Sequence, residues 1–372
     1  MIDSRNRVII DLSALVHNFA EVRSLVSPGT KVMGIVKSDA YGHGLIPVSR
    51  ALEKHGVDSL GVAHLREAMD LRRSGITVPV VLLCGIRTKE EVRAAIEERL
   101  IPVVFDEEMA ESAADECRRR GARISVFVKV DTGMGRLGIS ESELRKTLKK
   151  IADRKELTVE GLTSHLSCAD EPTADFTEGQ LSSFREAVLA GRAIGLELPM
   201  NTLANSAGIA RYEDSHFHVV RPGILLYGGA AGPCPKPLNL KPVMQFRGEI
   251  LQVREIPCGR PISYGRTYYT QALQRIAVTS AGYGDGLLRS LSNRGKVLIK
   301  GRRANILGRV CMNMTVADVT GLEDVRAGDE VVYLGSQGES IITGDELAEW
   351  SQTISYEVFC SIGQRNTREY LK

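Results

Sequence analysis

The stretch ISVFVKVDTGMGRLGISESELRKTLKKIADRKELTVEGLT, residues 124–163, decides the fold. It opens on a run of mostly apolar, β-branched and aromatic residues at 124–130 and passes through a glycine-rich polar loop. Apolar residues then recur every three or four positions over 141–152, and a second β-type run closes the stretch at 157–163. Strand, helix and strand in that order form the repeating unit of a parallel sheet. The alternation extends in both directions. Further strand-like runs stand at 31–36, 59–63, 80–83, 102–105, 199–203 and 217–220, and further helical stretches at 89–98, 107–118 and 178–194. Eight βα units in one run predict a (β/α)8 TIM barrel of the α/β class. An open doubly wound sheet would carry a glycine-rich phosphate fingerprint after its first strand, and none is present.

The 372 residues exceed the size at which one hydrophobic core usually stops growing, so two domains are expected. Helical periodicity ends at GGAAGPCPKPLNLKP, residues 228–242, where glycine and proline cluster. The barrel is therefore placed at 1–235. A mostly β domain is placed at 236–372, because short β-type runs follow the linker with one helix signal at 343–350.

Composition narrows the function. Hydrophobic content of 43% and charged content of 25% are those of an ordinary globular chain. A net charge of +2, with both signs spread throughout, offers no basic face for nucleic acid or acidic lipid. No apolar run is long enough for a signal peptide or a membrane span, which predicts a cytoplasmic protein. The seven cysteines form no CxxC pair, so neither disulfides nor a metal site is expected.

The segment VKSDAYGHG, residues 36–44, places Lys37 where the first barrel strand ends, the face at which barrel enzymes assemble their sites. A lysine there can simply snorkel to solvent. It can also be an imine-forming nucleophile, since partial desolvation lowers the pKa of an amine. Tyr41 and His43 follow in the loop and are within reach of a ligand on this reading. Polar clusters end the other strands: Lys129, Asp131 and Arg136 after the fifth, His165 after the sixth, Asn205 and Ser206 after the seventh, Arg221 and Gly223 after the eighth. Ser206 and the amides near Gly223 suit a phosphate, which barrels often hold beside strands seven and eight. A phosphate site together with an imine-forming lysine points to pyridoxal 5'-phosphate. Arg221, if it meets the pyridine nitrogen, would keep that nitrogen unprotonated and weaken the ring as an electron sink. In the second half, Tyr264, Tyr268 and Tyr269 read, on the residues alone, as cross-strand packing before function.

Taken together, VKSDAYGHG, VKVDTGMGRLG, RPGILLYG, SYG, GYGDG and GRVCM resemble the alanine racemase family in order and spacing over nearly the whole chain. The resemblance implies a (β/α)8 barrel followed by a β domain, and a pyridoxal 5'-phosphate enzyme that interconverts L- and D-alanine and supplies D-alanine for bacterial peptidoglycan. It implies that Lys37 binds the cofactor covalently and is the base for D-alanine, with Tyr264 the opposing base for L-alanine. Tyr41, Asn205, Ser206, Gly223, Ile224 and Tyr356 would hold the cofactor, chiefly its phosphate. Arg221 would meet the ring nitrogen, with His165 against the ring. Arg136 and the Met312 backbone would bind the substrate carboxylate, and Lys129 corresponds to a lysine often carbamylated in the family. A phenol is a weak acid, so a cation such as Arg136 would help Tyr264 act as a base. Lys37 lies before the linker and Tyr264 after it, and the resemblance implies a homodimer with shared sites.

Two departures stand out: Asn313 occupies a position where an aspartate is expected, and QRNTREY differs from the family's Arg-Val-Pro-Arg pattern. A racemase of broader specificity, a related decarboxylase and a noncatalytic cofactor-binding protein are the competing readings. The SYG to GRVCM run disfavours the decarboxylase, and the second base on a full β domain disfavours the binding protein.

Overall fold

The computed structural model describes residues 5–235 and 237–372, so Lys236, the first residue of the expected second domain, lies outside the described residues. Strand β1 (Arg7–Asp11) buries Val8 and Ile10 and leaves Arg7 exposed, the pattern of a strand with one wet face. Such a strand is unsuited to a barrel wall, which is covered on both sides. It pairs instead antiparallel with residues 244–247 and parallel with 368–371, so the start of the chain belongs to the sheet of the second unit and not to the barrel where the sequence reading put it. Asp11 ends the strand and caps the helix Leu12–Ser24 by accepting from the Ala14 amide at 2.9 Å.

The barrel sheet follows. Strands β2 (Lys31–Ile35), β3 (Ser59–Val62), β4 (Val80–Leu82), β5 (Leu100–Val104), β6 (Ile124–Lys129), β7 (Leu157–Thr163) and β8 (Val219–Val220) run parallel in the order β7-β6-β5-β4-β3-β2-β8. Their near-continuous burial is what the uninterrupted apolar runs predict. Helices Lys89–Glu97, Glu107–Arg120, Glu141–Ala152 and Asp175–Ala193 fall on the predicted stretches.

The expected strand at 199–203 is reduced to a single bridge, Thr163 to Thr202. The Asn201 side chain takes ladder positions itself: its Oδ1 accepts from the Leu162 amide at 2.9 Å and its Nδ2 donates to the Leu198 carbonyl at 3.2 Å. The segment still closes the ring. On one side the Thr202 amide donates to Leu162 (2.9 Å), and on the other the Arg221 amide donates to Ala204 (3.0 Å).

The second unit is built on the 13-residue strand β9 (Met244–Ile256), which pairs with β1 and with residues 274–279 and 330–337. The helix signal at 343–350 is the helix Gly344–Ser351, started by a capping box of Thr343 and Glu346. A second helix, Ser355–Arg365, was not anticipated. It contains Gly363, an unfavourable residue for a helix interior, and the reason is tertiary: a Cβ there would lie 1.9 Å from the Gly42 carbonyl. This helix thereby packs directly on the loop after Lys37. Among the described residues no helix is long and apolar enough to cross a membrane.

Candidate active site

The loops at the C-terminal ends of the barrel strands enclose a cavity of about 460 Å³. Lys37, Tyr41, Lys129, Arg136, His165, Asn205, Ser206, Arg221, Gly223 and Tyr356 all line it. A larger groove of about 660 Å³ lies at the opposite ends of β4, β5 and β6, but Arg72 there is spent on backbone carbonyls of Ile76, Val78 and Glu98 and the remaining arginines are exposed. Chemistry belongs to the smaller cavity, where the predicted groups converge.

Its charge is one-sided. Four cationic side chains face it, and no carboxylate is found among the described lining residues. Burial lowers the Lys37 ammonium below its ordinary pKa, and Arg136 lowers it further, while Cys84 and Glu67 oppose the shift. Burial and then Arg221 bring Lys129 down to about 7. Lys129 is therefore an amine poised to lose its proton near neutrality. Such a cavity selects an anion.

Arg221 is held by neutral acceptors: Thr202 Oγ1 and the Ser164 carbonyl at 2.6 Å, and the Leu203 carbonyl at 3.1 Å. Burial draws its pKa down to about 10, so it stays charged at neutral pH. Its Nη2 donates to His165 Nδ1 at 3.3 Å, which places the imidazole proton on Nε2. Burial and the Arg221 charge push His165 well below its usual pKa, so the ring is neutral.

The Ser206 hydroxyl accepts from the amides of Gly223 (2.9 Å) and Leu225 (3.4 Å). With its oxygen so used, its proton is free to donate into the cavity. Gly223 is required by close approach, since a Cβ would lie 2.5 Å from the Tyr41 hydroxyl. Tyr41 stacks on Tyr227 at 4.8 Å and meets Tyr356 at 5.5 Å. Burial raises the pKa of both cavity phenols, Tyr356 to about 12, so they remain donors. Ile224 is wholly buried, leaving its backbone as the part able to serve a ligand. The Asn205 amide is engaged at both ends, accepting from Gly208 N and donating to the Leu166 carbonyl, both at 3.0 Å. It shapes the site as the cap of the short helix Ser206–Arg211.

Lys37 is followed by an unusual backbone. Ser38, Asp39, Ala40 and Tyr41 have φ of 55°, 56°, 53° and 55°, one turn of left-handed helix made without glycine. Each such residue costs about 1–2 kcal/mol. His43 does not face the cavity, contrary to the sequence reading. It is fully buried behind the turn, stacked on Tyr227 at 4.5 Å, with Nδ1 donating to the carbonyls of Ala40 (3.1 Å) and Tyr41 (3.0 Å). Burial lowers its pKa to about 3, so it is a neutral prop for the turn.

Tyr264 and Met312 are not brought to this cavity. Tyr264 is 71% exposed and Met312 58%, and neither lines the barrel mouth of its own chain. Tyr264 sits between Ser263 at φ 63° and Gly265 at φ 70°, on a turn fixed by Ser263 Oγ donating to the Arg309 carbonyl at 2.6 Å. The Met312 carbonyl accepts from the Gly284 amide at 2.7 Å, joining the GYGDG and CMNM loops. Both departures noted in the sequence meet on Asp285 of that platform. Asn313 Nδ2 donates to its carboxylate at 3.2 Å, and Asn366 Nδ2 donates to its carbonyl at 2.8 Å. Tyr268 and Tyr269 are strand residues paired with Ile262 and Pro261.

Sequence reasoning missed Cys84, which lines the cavity, and Glu67, whose carboxylate accepts from the Ser38 amide at 2.6 Å. Cys84 follows the end of β4, the same strand-end position that marked the other groups, and was legible on that rule.

Residues 10–231 match the sequence profile described as alanine racemase, N-terminal domain, and residues 243–370 that described as alanine racemase, C-terminal domain. The alanine racemase of Syntrophobacter fumaroxidans is 43% identical over 364 residues, covering 98% of this chain and 96% of that protein. The crystal structure of alanine racemase from D-cycloserine-producing Streptomyces lavendulae superposes with a TM-score of 0.94 at 32% identity, covering 100% of this chain and 98% of that one. The alanine racemase of Bartonella henselae, solved with covalently bound pyridoxal phosphate, superposes with a TM-score of 0.89 at 30% identity, covering 98% of this chain and 99% of that one.

Proposed function

The chain belongs to the alanine racemase family, and from that premise we propose that it interconverts L- and D-alanine with Lys37 and Tyr264 as the two proton-transfer groups. The observation that carries this is the cavity itself. A lysine of lowered pKa shares it with an anion cradle made of Tyr41, Ser206, Gly223 and Tyr356 and with a guanidinium held by neutral acceptors.

Pyridoxal 5'-phosphate fits those donors. The Ser206 proton and two protonated phenols suit a phosphate, and the absence of carboxylates among the described lining residues leaves its charge unopposed. Arg221 would face the ring nitrogen, with neutral His165 against the ring. When bound, the cofactor delocalises the electron pair left as the α-proton departs. The protein's own part is to hold and move that proton. Lys37 Nζ, eased toward its neutral form by burial, takes or returns it on one face, and Tyr264 Oη does so on the other. Arg136, on the loop after β6, and the Met312 backbone would hold the substrate carboxylate.

The second base reaches the first through a partner. Tyr264, Met312, Met314 and Tyr283 are large apolar or aromatic side chains exposed on the second unit. A twofold dimer that lays this surface over another subunit's barrel mouth supplies the missing groups and excludes water from the cavity.

The test is α-proton exchange in deuterated water. The chain is expected to exchange the α-proton of both enantiomers. Tyr264→Phe is expected to lose exchange from L-alanine by about 100-fold or more while exchange from D-alanine through Lys37 falls far less. Equal losses from both enantiomers would count against two bases on opposite faces.

Lys129 is proposed to carry a carbamate. The Lys129 ammonium first loses one proton; carbon dioxide then adds to the neutral amine, a C–N bond forms and a second proton is released, so that a buried cation near Arg136 and Arg221 becomes an anion. Because the Lys129 pKa lies near 7, the reactive form grows as pH rises through that value. With labelled bicarbonate, a carbamate carbon signal is expected above that pH and absent in Lys129→Met. A signal that survives in Lys129→Met would assign the modification elsewhere.

A further inference from the structure

The left-handed turn at 38–41 carries Lys37 at its start and Tyr41 at its end, so two cavity groups hang from one strained segment. Local hydrogen bonds tie it to its flanks: Ala40 N to the Val36 carbonyl (2.8 Å), Gly42 N to the Ser38 carbonyl (3.1 Å), His43 N to the Ala40 carbonyl (3.0 Å) and Gly44 N to the Asp39 carbonyl (2.9 Å), with the buried His43 ring behind it. Further restraint comes through the Asp39 side chain, part of it from the far end of the chain. Asp39 Oδ1 accepts from the Leu45 amide at 2.7 Å, and Asp39 Oδ2 is paired with Arg368 Nη1. The same Nη1 donates to the Gly42 carbonyl at 2.9 Å. Arg368 begins the last strand, Arg368–Leu371, where it lies opposite Val8 of β1. One side chain of the second unit's sheet thus grips the turn at two points. Two residues on in the same strand, Tyr370 closes over Gly44, where a Cβ would lie 2.1 Å from the tyrosine hydroxyl.

A partly exposed ion pair adds little stability alone. Strained backbone, by contrast, persists only where its surroundings over-determine it. We propose that Asp39 and Arg368 are positioning residues that hold the left-handed turn and so aim Lys37 into the cavity, which ties the second unit of a chain to the lysine of its own barrel. The inference rests on the reading of Lys37 as the cofactor-binding lysine.

The test uses the full-length chain freed of cofactor, as Asp39→Asn, Arg368→Met, the double variant and the conservative Arg368→Lys. Three quantities are followed: the rate at which added pyridoxal 5'-phosphate is fixed on Lys37 under borohydride, read by peptide mass; kcat and KM for alanine; and the thermal midpoint. Each single variant is expected to slow fixation and lower kcat by about 10-fold or more, because small misplacements of a reacting group cost that much. KM is expected to move far less. The double variant should be no worse than the poorer single, as for two residues acting as one unit, and Arg368→Lys should recover much of the loss. A fallen thermal midpoint with fixation rate and kcat unchanged would overturn the positioning role, as would losses that multiply in the double variant. If the unaltered chain fixes cofactor on Lys37 but does not racemise alanine, the functional reading fails and the fixation comparison still decides the role of the pair.

Discussion

Lys37→Ala is expected to lose racemisation in both directions, by about 1,000-fold or more, because in the proposed mechanism one side chain serves as both cofactor anchor and proton carrier. The cavity offers no substitute at that position. Lys129 ends β6 and is crowded by Arg221 and Arg136, and His165 is kept neutral with Nδ1 already occupied by Arg221. Folding should survive, since the left-handed turn begins after residue 37 and its restraints include Asp39, His43, Glu67 and Arg368. The measurement is alanine racemisation with exogenous amines removed, beside a thermal midpoint close to that of the unaltered chain. Appreciable racemisation by folded Lys37→Ala would remove the lysine from the mechanism.

Mixing two inactive chains is expected to restore activity. On the proposed reading, Lys37→Ala lacks the barrel base and Tyr264→Ala the base of the second unit, so a homodimer of either would have no complete site. In a mixed dimer with shared sites, one cavity receives both bases and the other neither. Random exchange makes about half the dimers mixed, each with one intact site, so about one quarter of the unaltered activity should return. The exposure of Tyr264 and Met312, away from the cavity of their own chain, motivates the expectation. Subunit exchange confirmed by mass without recovered racemisation would overturn the shared site, and full activity from a stable monomer would do so more directly.

The barrel was legible because its signal is local. Apolar runs separated by helical stretches need only periodicity to be read, and Lys37, Lys129, His165, Ser206 and Arg221 could be singled out because they follow such runs. Where a signal was non-local the reading failed. β1 looks like a strand from its alternation, but nothing within five residues says that its partners are 244–247 and 368–371. The run at 199–203 has strand composition, yet a buried Asn201 side chain occupies the ladder. His43 has a binding residue's chemistry, and only packing against Tyr227 and Phe359 reveals it as a prop.

The sequence by itself determined the parallel barrel, the β-rich second half, the strand-end lysine and the family, since each follows from residue order over short spans or from motifs in series. The tertiary structure alone decided the left-handed turn after Lys37, its grip by Arg368 from the far end of the chain, and the separation of Tyr264 from the cavity of its own chain. A backbone conformation that four non-glycine residues disfavour is chosen by contacts hundreds of positions away. Residue order sets which local conformations are favoured, but an unfavourable one is held in place only by partners that folding brings alongside it.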